Sequence, residues 1–490
     1  MNSAGVGLNQ DSEKVFNLIF ENGSTLTFIP PPHFTTPKPT QMSTSTGTAA
    51  IAAPVLQTQR IGIIDSLRGF AILGILLMNM PGFALPGPVA GDPTMWNELG
   101  TVNFKVYFLV EWIPEGTQRA LFSMLFGAGI LLFTSRLERR LDGVLPADLF
   151  MRRQLWLLVF GLVNIYILLW WGDILFDYGV CGMIMFTFRN LSSKKLLIGG
   201  IVCMMLMIAR ENRELYLEKA PITAGERIAA MDTTKTKLTD KQKGQLAEYN
   251  ERKDGTKKDE RKKRVDKIIE ATTGSFADVY ENRTGMYLNY MLVHYGYLSL
   301  WDVLMFMFFG MFFFKTGVIT GEAPIRIYWI LAVVGLGVGL WLSWYRIGLA
   351  SSRGYNWFEI TRAAKFEWYT LSRTLRSLGI FGTMILLYRS GWFRWLFALM
   401  RPVGQMAFTN YLTQSLICAI IFYGGMGMGK FGHMQRYEIY LVVGSIWIVQ
   451  IIWSHVWLRF FLFGPLEWCW RSLTYWKAQP LRKGKLGVSA

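Results

Sequence analysis

Long apolar stretches separated by short polar turns set the pattern of this chain from residue 62 to residue 459. Ten of them run for about 17 to 25 residues, the length of a helix that spans a bilayer: 62–85, 119–135, 153–171, 174–190, 194–210, 299–319, 325–346, 371–389, 402–424 and 436–459. Inside lipid only a helix or a closed barrel satisfies every backbone polar group. The pattern therefore predicts an all-α, polytopic membrane protein with about ten transmembrane helices. The divisions that follow are a disordered Pro/Thr/Ser-rich tail over 1–59, membrane helices 1–5 over 60–210, a hydrophilic insert over 211–298, membrane helices 6–10 over 299–460, and an interfacial helix with a basic tail over 461–490. The aromatic-rich stretch Tyr355–Tyr369 leaves room for a re-entrant segment, which makes the count nine to eleven.

Composition sharpens this division. Of the 490 residues 52% are apolar and 17% charged, where a soluble chain has about 25% charge. Residues 211–290 alone hold 17 basic and 15 acidic side chains, so the rest is too apolar for water. The net charge of +17 collects in loops and ends, which argues for positive-inside topology and against nucleic-acid binding. Short segments around Arg136, Arg139, Arg140, Arg152 and Arg153, around Arg189, Lys194 and Lys195, around Arg389, Arg394 and Arg401, and around Lys477, Arg482, Lys483 and Lys485 all fall on one side of a ten-span arrangement. That side is the cytoplasm, so both termini are expected there and the insert outside, in a bacterial plasma (inner) membrane. One loop dissents: 347–370 belongs outside yet carries Arg353, Arg362 and Lys365. The run Lys257–Lys267 alternates sign and reads as a solvated helix. Its density of charge implies that deleting about 232–267 leaves the protein folded.

No secretory signal precedes the first span, and Met1 and Met42 are both candidate starts. The four cysteines and four histidines are dispersed without ligand spacing, which argues against a disulfide framework or a metal site.

Charges at membrane depth are costly and need a reason. Asp65 and Arg68 are three apart and can pair on one helix face, and Asn79, eleven beyond Arg68, returns to that face about 16 Å higher. A snorkelling Arg beside a cap-like Asp is the plainer reading. Arg119 opens the second span. Asp173 in the turn Gly172-Asp173-Ile174-Leu175 can cap the following helix. Asn410 and Gln414 share a face, as do Gln450 and Ser454, a spacing that suits interhelical hydrogen bonds. In the closing segment Pro465 and Glu467 suit a first helical turn with Arg471 four beyond, at headgroup level. No nucleophile–base pair and no glycine-rich phosphate loop stands out.

The runs Ile64-Asp65-Ser66-Leu67-Arg68-Gly69-Phe70, Leu121-Phe122-Ser123-Met124-Leu125-Phe126-Gly127, Gly172-Asp173-Ile174-Leu175, Met406-Ala407-Phe408-Thr409-Asn410-Tyr411-Leu412-Thr413-Gln414-Ser415 and Phe463-Gly464-Pro465-Leu466-Glu467-Trp468 together resemble the bacterial YeiB family, domain of unknown function 418. The likeness covers about 60–205 and 290–476. It implies kinship with the transmembrane acyltransferases, which move an acyl group from a cytoplasmic donor, commonly acetyl-CoA, to an acceptor across the membrane. In the related acyltransferase-3 pattern a His taken as catalytic follows the first-helix Arg by eleven residues. Asn79 stands at that position here, and Asn164 stands where relatives similarly carry a second His. An amide has no titratable proton near neutral pH, so neither position can supply the general base of the familiar His mechanism.

The resemblance thus implies an acyltransferase-like protein with no resident cofactor, acyl-CoA as co-substrate and an extracytoplasmic acceptor. Its pocket would be drawn from Asp65, Arg68, Asn79, Arg119, Asp173, Asn410 and Gln414, with Glu467 and Arg471 as an interfacial motif. A transporter or flippase for a small or lipid-linked solute, and a non-catalytic membrane scaffold, are the alternatives.

Overall fold

The computed structural model describes residues 61–141, 143–231 and 237–483. The expected tail over 1–59 and the choice between Met1 and Met42 lie outside them. All named elements among the described residues are helical. They are α1 (Gly62–Ala84), α2 (Val102–Trp112), α3 (Thr117–Glu138), α4 (Leu145–Tyr166), α5 (Leu175–Phe186), α6 (Ser193–Ala229), α7 (Asp240–Asp254), α8 (Lys258–Thr273) and α9 (Phe276–Asn289). A π-helix (Tyr290–Ser299) leads into α10 (Leu300–Lys315), followed by α11 (Ile325–Ser352), α12 (Trp357–Ala363), α13 (Tyr369–Ser390), α14 (Arg394–Gln405), α15 (Ala407–Phe422), α16 (Arg436–Phe460) and α17 (Pro465–Tyr475). A single turn at Gly87–Ala90 precedes α2.

Five helical stretches are long and apolar enough to cross a membrane: Gly62–Ala84, Val102–Glu138, Phe276–Lys315, Ile325–Ser352 and Arg436–Phe460. The protein is a membrane protein, and α11 and α16 turn Trp329, Val333, Trp341, Leu441, Ile448 and Ile452 outward. The ten apolar stretches all fall on helices, but several are interrupted or charged. The expected span 153–171 ends as helix at Tyr166, the span 174–190 is helical only over Leu175–Phe186, and 402–424 is broken at Met406. Helix α4 carries Arg152 and Arg153, and α13 carries Arg373 and Arg376. Helix α2 lies between the first two apolar stretches, and the re-entrant reading of 355–369 becomes the short helix α12.

Contacts between helix ends sort the bundle into two poles. At the near pole Arg189 pairs with Glu138, Lys315 donates to the Leu191 carbonyl, Arg389 to the Ala323 carbonyl and the Trp470 indole to the Arg153 carbonyl. The start of α1 and the end of α16 lie here too. At the far pole Arg436 pairs with Glu98, Arg261 with Asp92, and the Gly424 N–H donates to Thr272. Every short segment that the sequence marks as strongly basic is at the near pole.

The insert is built as helices docked on the far pole. Capping boxes open α7 (Thr239 with Gln242) and α9 (Ser275 with Asp278), each satisfying two otherwise unpaired backbone N–H groups. Tyr249 of α7 packs with Ile222 and Phe358, and Arg283 of α9 stacks 4.5 Å from Tyr423. The dissenting loop is explained by these contacts: Arg362 meets Glu226 and Glu359, and Asn356 donates to Thr256. Arg362 is thus matched by one insert carboxylate and one local carboxylate, so its charge carries little topological weight.

Candidate functional site: two cavities back to back

The near-pole cavity, of about 320 Å³, is walled by Phe122, Leu125, Phe133, Phe150 and Leu157 and rimmed by arginines. Arg68 and Asp65 come from the first turns of α1, Arg136 from the end of α3 and Arg140 from just beyond it, Arg153 from α4, and Glu467 and Arg471 from α17. Arg68 holds Asp65 at 3.1 Å, as the spacing of three predicts, and Gln405 donates to the same carboxylate at 3.4 Å. The Arg153 guanidinium lies 3.6 Å from the Trp470 ring centre, and Arg471 lies 4.4 Å from that of Phe463. Such stacking holds a guanidinium in place by its face.

Glu467 serves a purpose that its own helix does not reveal. It accepts from the N–H groups of Phe408 (2.8 Å) and Thr409 (3.0 Å) and from the Thr409 hydroxyl (2.5 Å). It thus caps α15, whose N-terminus starts inside the bundle after the break at Met406. Glu467→Ala should lower stability by about 1–2 kcal/mol, the worth of a strong N-cap, while Glu467→Gln keeps one acceptor and loses less. Thermal unfolding of the detergent-solubilised variants measures both.

The floor of this cavity is Tyr178 and Tyr411. Behind Tyr411 sits Asp173, only 3% exposed. It accepts from Asn164 (2.7 Å), the Tyr411 hydroxyl (3.3 Å) and the Phe176 N–H (2.8 Å). Asp173 therefore caps α5, as its position in the turn suggests. The chain unwinds between Tyr166 and Leu175, with Leu169 at φ +56°, which carries the cap into the interior.

The far-pole cavity, of about 550 Å³, is lined by Asn79, Glu111, Glu115, Arg119, Glu211, Asp302, Tyr369, Arg373 and Arg436, among others. Asp302 of α10 is its anchor. Arg119 Nη2 reaches it at 2.5 Å, and Arg373 of α13 grips both of its oxygens. Outside the helices, burial pushes the Glu98 carboxyl up, while the Arg436 guanidinium at 2.8 Å pulls it down.

One side-chain layer divides the cavities. Tyr178 faces the near one and Arg119 the far one. The Tyr178 hydroxyl lies 2.8 Å from Ser123 Oγ, and both approach the Arg119 carbonyl, at 3.3 and 2.9 Å.

The candidate residues taken from the sequence are thus divided rather than gathered. Asp65, Arg68, Glu467 and Arg471 line the near cavity, and Asn79 and Arg119 the far one. Asn79 shares the helix but opens to the opposite pole, so the single stripe serves two compartments. Asp173 lies behind the partition. Asn410 and Gln414 line neither: Asn410 donates to Val403 O and Ser454, Gln414 to Gln450, and Gln450 back to the Asn410 carbonyl. Their face turns to α16, where they join helices. Asp302, Arg373, Glu111, Glu115 and Arg153 were missed. The signal was available for two of them, since Asp302 and Arg373 are charges inside apolar stretches. Among the described residues no group of three His, Cys, Asp or Glu is arranged to hold a metal.

A family profile described as "Protein of unknown function (DUF418)" matches residues 313–477. The chain is similar to the "Uncharacterized protein YxaH" of Bacillus subtilis (strain 168), 28% identical over 88% of this chain and 98% of that protein. It is similar to the "Uncharacterized protein YeiB" of Escherichia coli (strain K12), 28% identical over 85% and 97%. A third relative is an "Uncharacterized 39.9 kDa protein in amylase 3'region" of Bacillus acidopullulyticus, 24% identical over 87% and 97%. No solved structure matches.

Proposed function

We propose, from the premise that the chain belongs to the DUF418 family with YeiB and YxaH as relatives, that it is an acyltransferase-like protein working across a bacterial inner membrane. In this reading ten helices cross the bilayer, the near pole faces the cytoplasm with both termini, and the insert lies outside. Acyl-CoA docks at the near cavity and the acceptor at the far one, with no resident cofactor.

The observation that carries the reading is the near cavity itself. It sets Arg68, Arg153 and Arg471 around apolar walls, a chemistry that suits phosphate oxygens joined to an acyl chain. The partition at Ser123 and Tyr178 supports delivery to the far side, because only one layer separates the two compartments. Catalysis would not use the familiar histidine, since amides stand at Asn79 and Asn164. Asn79 instead offers an N–H from the far wall to a polarised carbonyl oxygen.

The same two cavities also suit a transporter or flippase, favoured by the absence of a nucleophile–base pair at the partition. Titration of purified protein with acetyl-CoA and a longer acyl-CoA, with free CoA followed as product, separates the two. Acyl-CoA binding that weakens about tenfold in Arg68→Lys, as expected when a planar fork is replaced by a point charge, together with CoA release, supports the enzyme. Binding without CoA release favours transport. No acyl-CoA binding, or equal binding by Arg68→Lys, removes the donor site.

A further inference from the structure

We propose that the far cavity binds a zwitterion, its primary ammonium on Glu111 and its anionic group on Arg119. The inference rests on the two-cavity reading above and names the class of molecule that the far side receives.

The charges lining this cavity are mostly satisfied within the protein. Glu115 accepts from the Tyr369 hydroxyl at 2.8 Å and pairs with Arg376 at 3.3 Å. Glu211 accepts from the Thr370 hydroxyl at 2.6 Å and its N–H at 3.2 Å. Arg436 is spent on Glu98 and on the carbonyls of Val89 and Ala90. Two groups are left over, and they have opposite signs.

The first is Glu111. Its backbone is pinned, because its carbonyl accepts from Arg376 and from Ser343, each at 3.3 Å. Its carboxylate lines the cavity, yet no hydrogen bond or ion pair engages it among the described residues. The second is the Asp302 cluster, where one carboxylate is shared by two guanidiniums. Arg119 commits only Nη2 to it, and Nε of Arg373, a residue only 4% exposed, has no acceptor. Two guanidiniums share this one carboxylate, with Asp177 also close to Arg119, and Arg119 keeps donors that no hydrogen bond engages among the described residues.

A low-dielectric site in which one carboxylate and one guanidinium keep unused hydrogen-bonding edges selects a ligand that brings a partner for each. A simple anion would answer Arg119 and meet Glu111 as a like charge. A simple cation would do the reverse. A molecule that pairs an ammonium with a phosphate or carboxylate answers both, and where the anionic group is a carboxylate or a phosphodiester it adds no net charge to the bundle. A primary ammonium offers Glu111 three N–H donors, which a quaternary one lacks. The volume of about 550 Å³ is ample for such a headgroup. A phospholipid headgroup and a free solute share this chemistry.

The test uses purified full-length protein titrated with O-phosphoethanolamine, phosphocholine, ethanolamine and inorganic phosphate. O-phosphoethanolamine should bind tightest, and Glu111→Gln, which removes no internal partner, should weaken it at least tenfold, or about 1.4 kcal/mol. Arg119→Lys, which leaves Asp302 with Arg373, should weaken it too. Nanodiscs of phosphatidylethanolamine or of phosphatidylcholine distinguish the sources. Competition of the soluble ligand by the first lipid alone assigns a headgroup, and equal binding in both assigns a free solute. Equal affinity of wild type and Glu111→Gln, phosphate alone binding as tightly as O-phosphoethanolamine, or no binding by any probe overturns the proposal. Acyl-CoA titration of the same samples keeps the two readings apart: Glu111→Gln should leave near-cavity binding intact, and Arg68→Lys should leave zwitterion binding intact.

Discussion

Asp302→Ala is expected to destabilise the folded protein by about 3–5 kcal/mol, the usual cost of removing one partner from a buried ion pair. The substitution leaves Arg119 and Arg373 facing each other without a carboxylate between them. The three side chains sit on α3, α10 and α13, so their repulsion acts across three helices at once. The expected readout is loss of monodisperse protein and a lower unfolding temperature in detergent. Replacing all three by Leu or Met should recover much of the stability, because removing every charge also removes the desolvation cost, yet it should abolish ligand binding at the far cavity. Recovery of both fold and binding would show that the cluster is not part of the site.

Gly310→Ala should disturb the same cluster from a distance. A Cβ on Gly310 would stand 1.9 Å from the Met124 carbonyl oxygen, and one on Gly127 would stand 2.3 Å from that of Met307. The two glycines let α3 and α10 touch backbone to backbone, the close approach that small residues permit in membrane bundles. Overpacking there should cost about 1–3 kcal/mol or more. Because α3 carries Arg119 and α10 carries Asp302, the helices must part where that ion pair is made. Gly337→Ala is the matched control: a Cβ there meets nothing within 4 Å, and the change should be neutral or stabilising by up to about 1 kcal/mol. Equal behaviour of the two variants in thermal unfolding would contradict this packing argument.

These cases show which parts of the molecule local sequence could express. Helices were legible because a long apolar run has few other solutions in lipid. The Asp65–Arg68 pair was legible because a spacing of three fixes the geometry on one helix. The Asp302 cluster was not, since its arginines lie 183 and 71 residues away in sequence. Glu467 read as the partner of Arg471 four residues on, but its acceptors serve α15, 59 residues earlier. The unwinding after Tyr166 was hidden as well, because Leu168-Leu169-Trp170-Trp171 continues the apolar pattern while the backbone leaves the helix. Helix α2, with Asn103, Lys105 and Glu111 among its eleven residues, falls outside the ten apolar stretches and becomes a wall of the far cavity.

The thin layer of Ser123 and Tyr178 has an electrical consequence. When both cavities admit water, most of the membrane voltage falls across that layer rather than across the whole bilayer, so it becomes a focused field. Moving one elementary charge through it then exchanges about 2.3 kcal/mol per 100 mV. A neutral acyl group would cross without sensing this, whereas an ionised cargo would be driven or held back according to its sign, so the rate at different imposed potentials would reveal the charge of what passes.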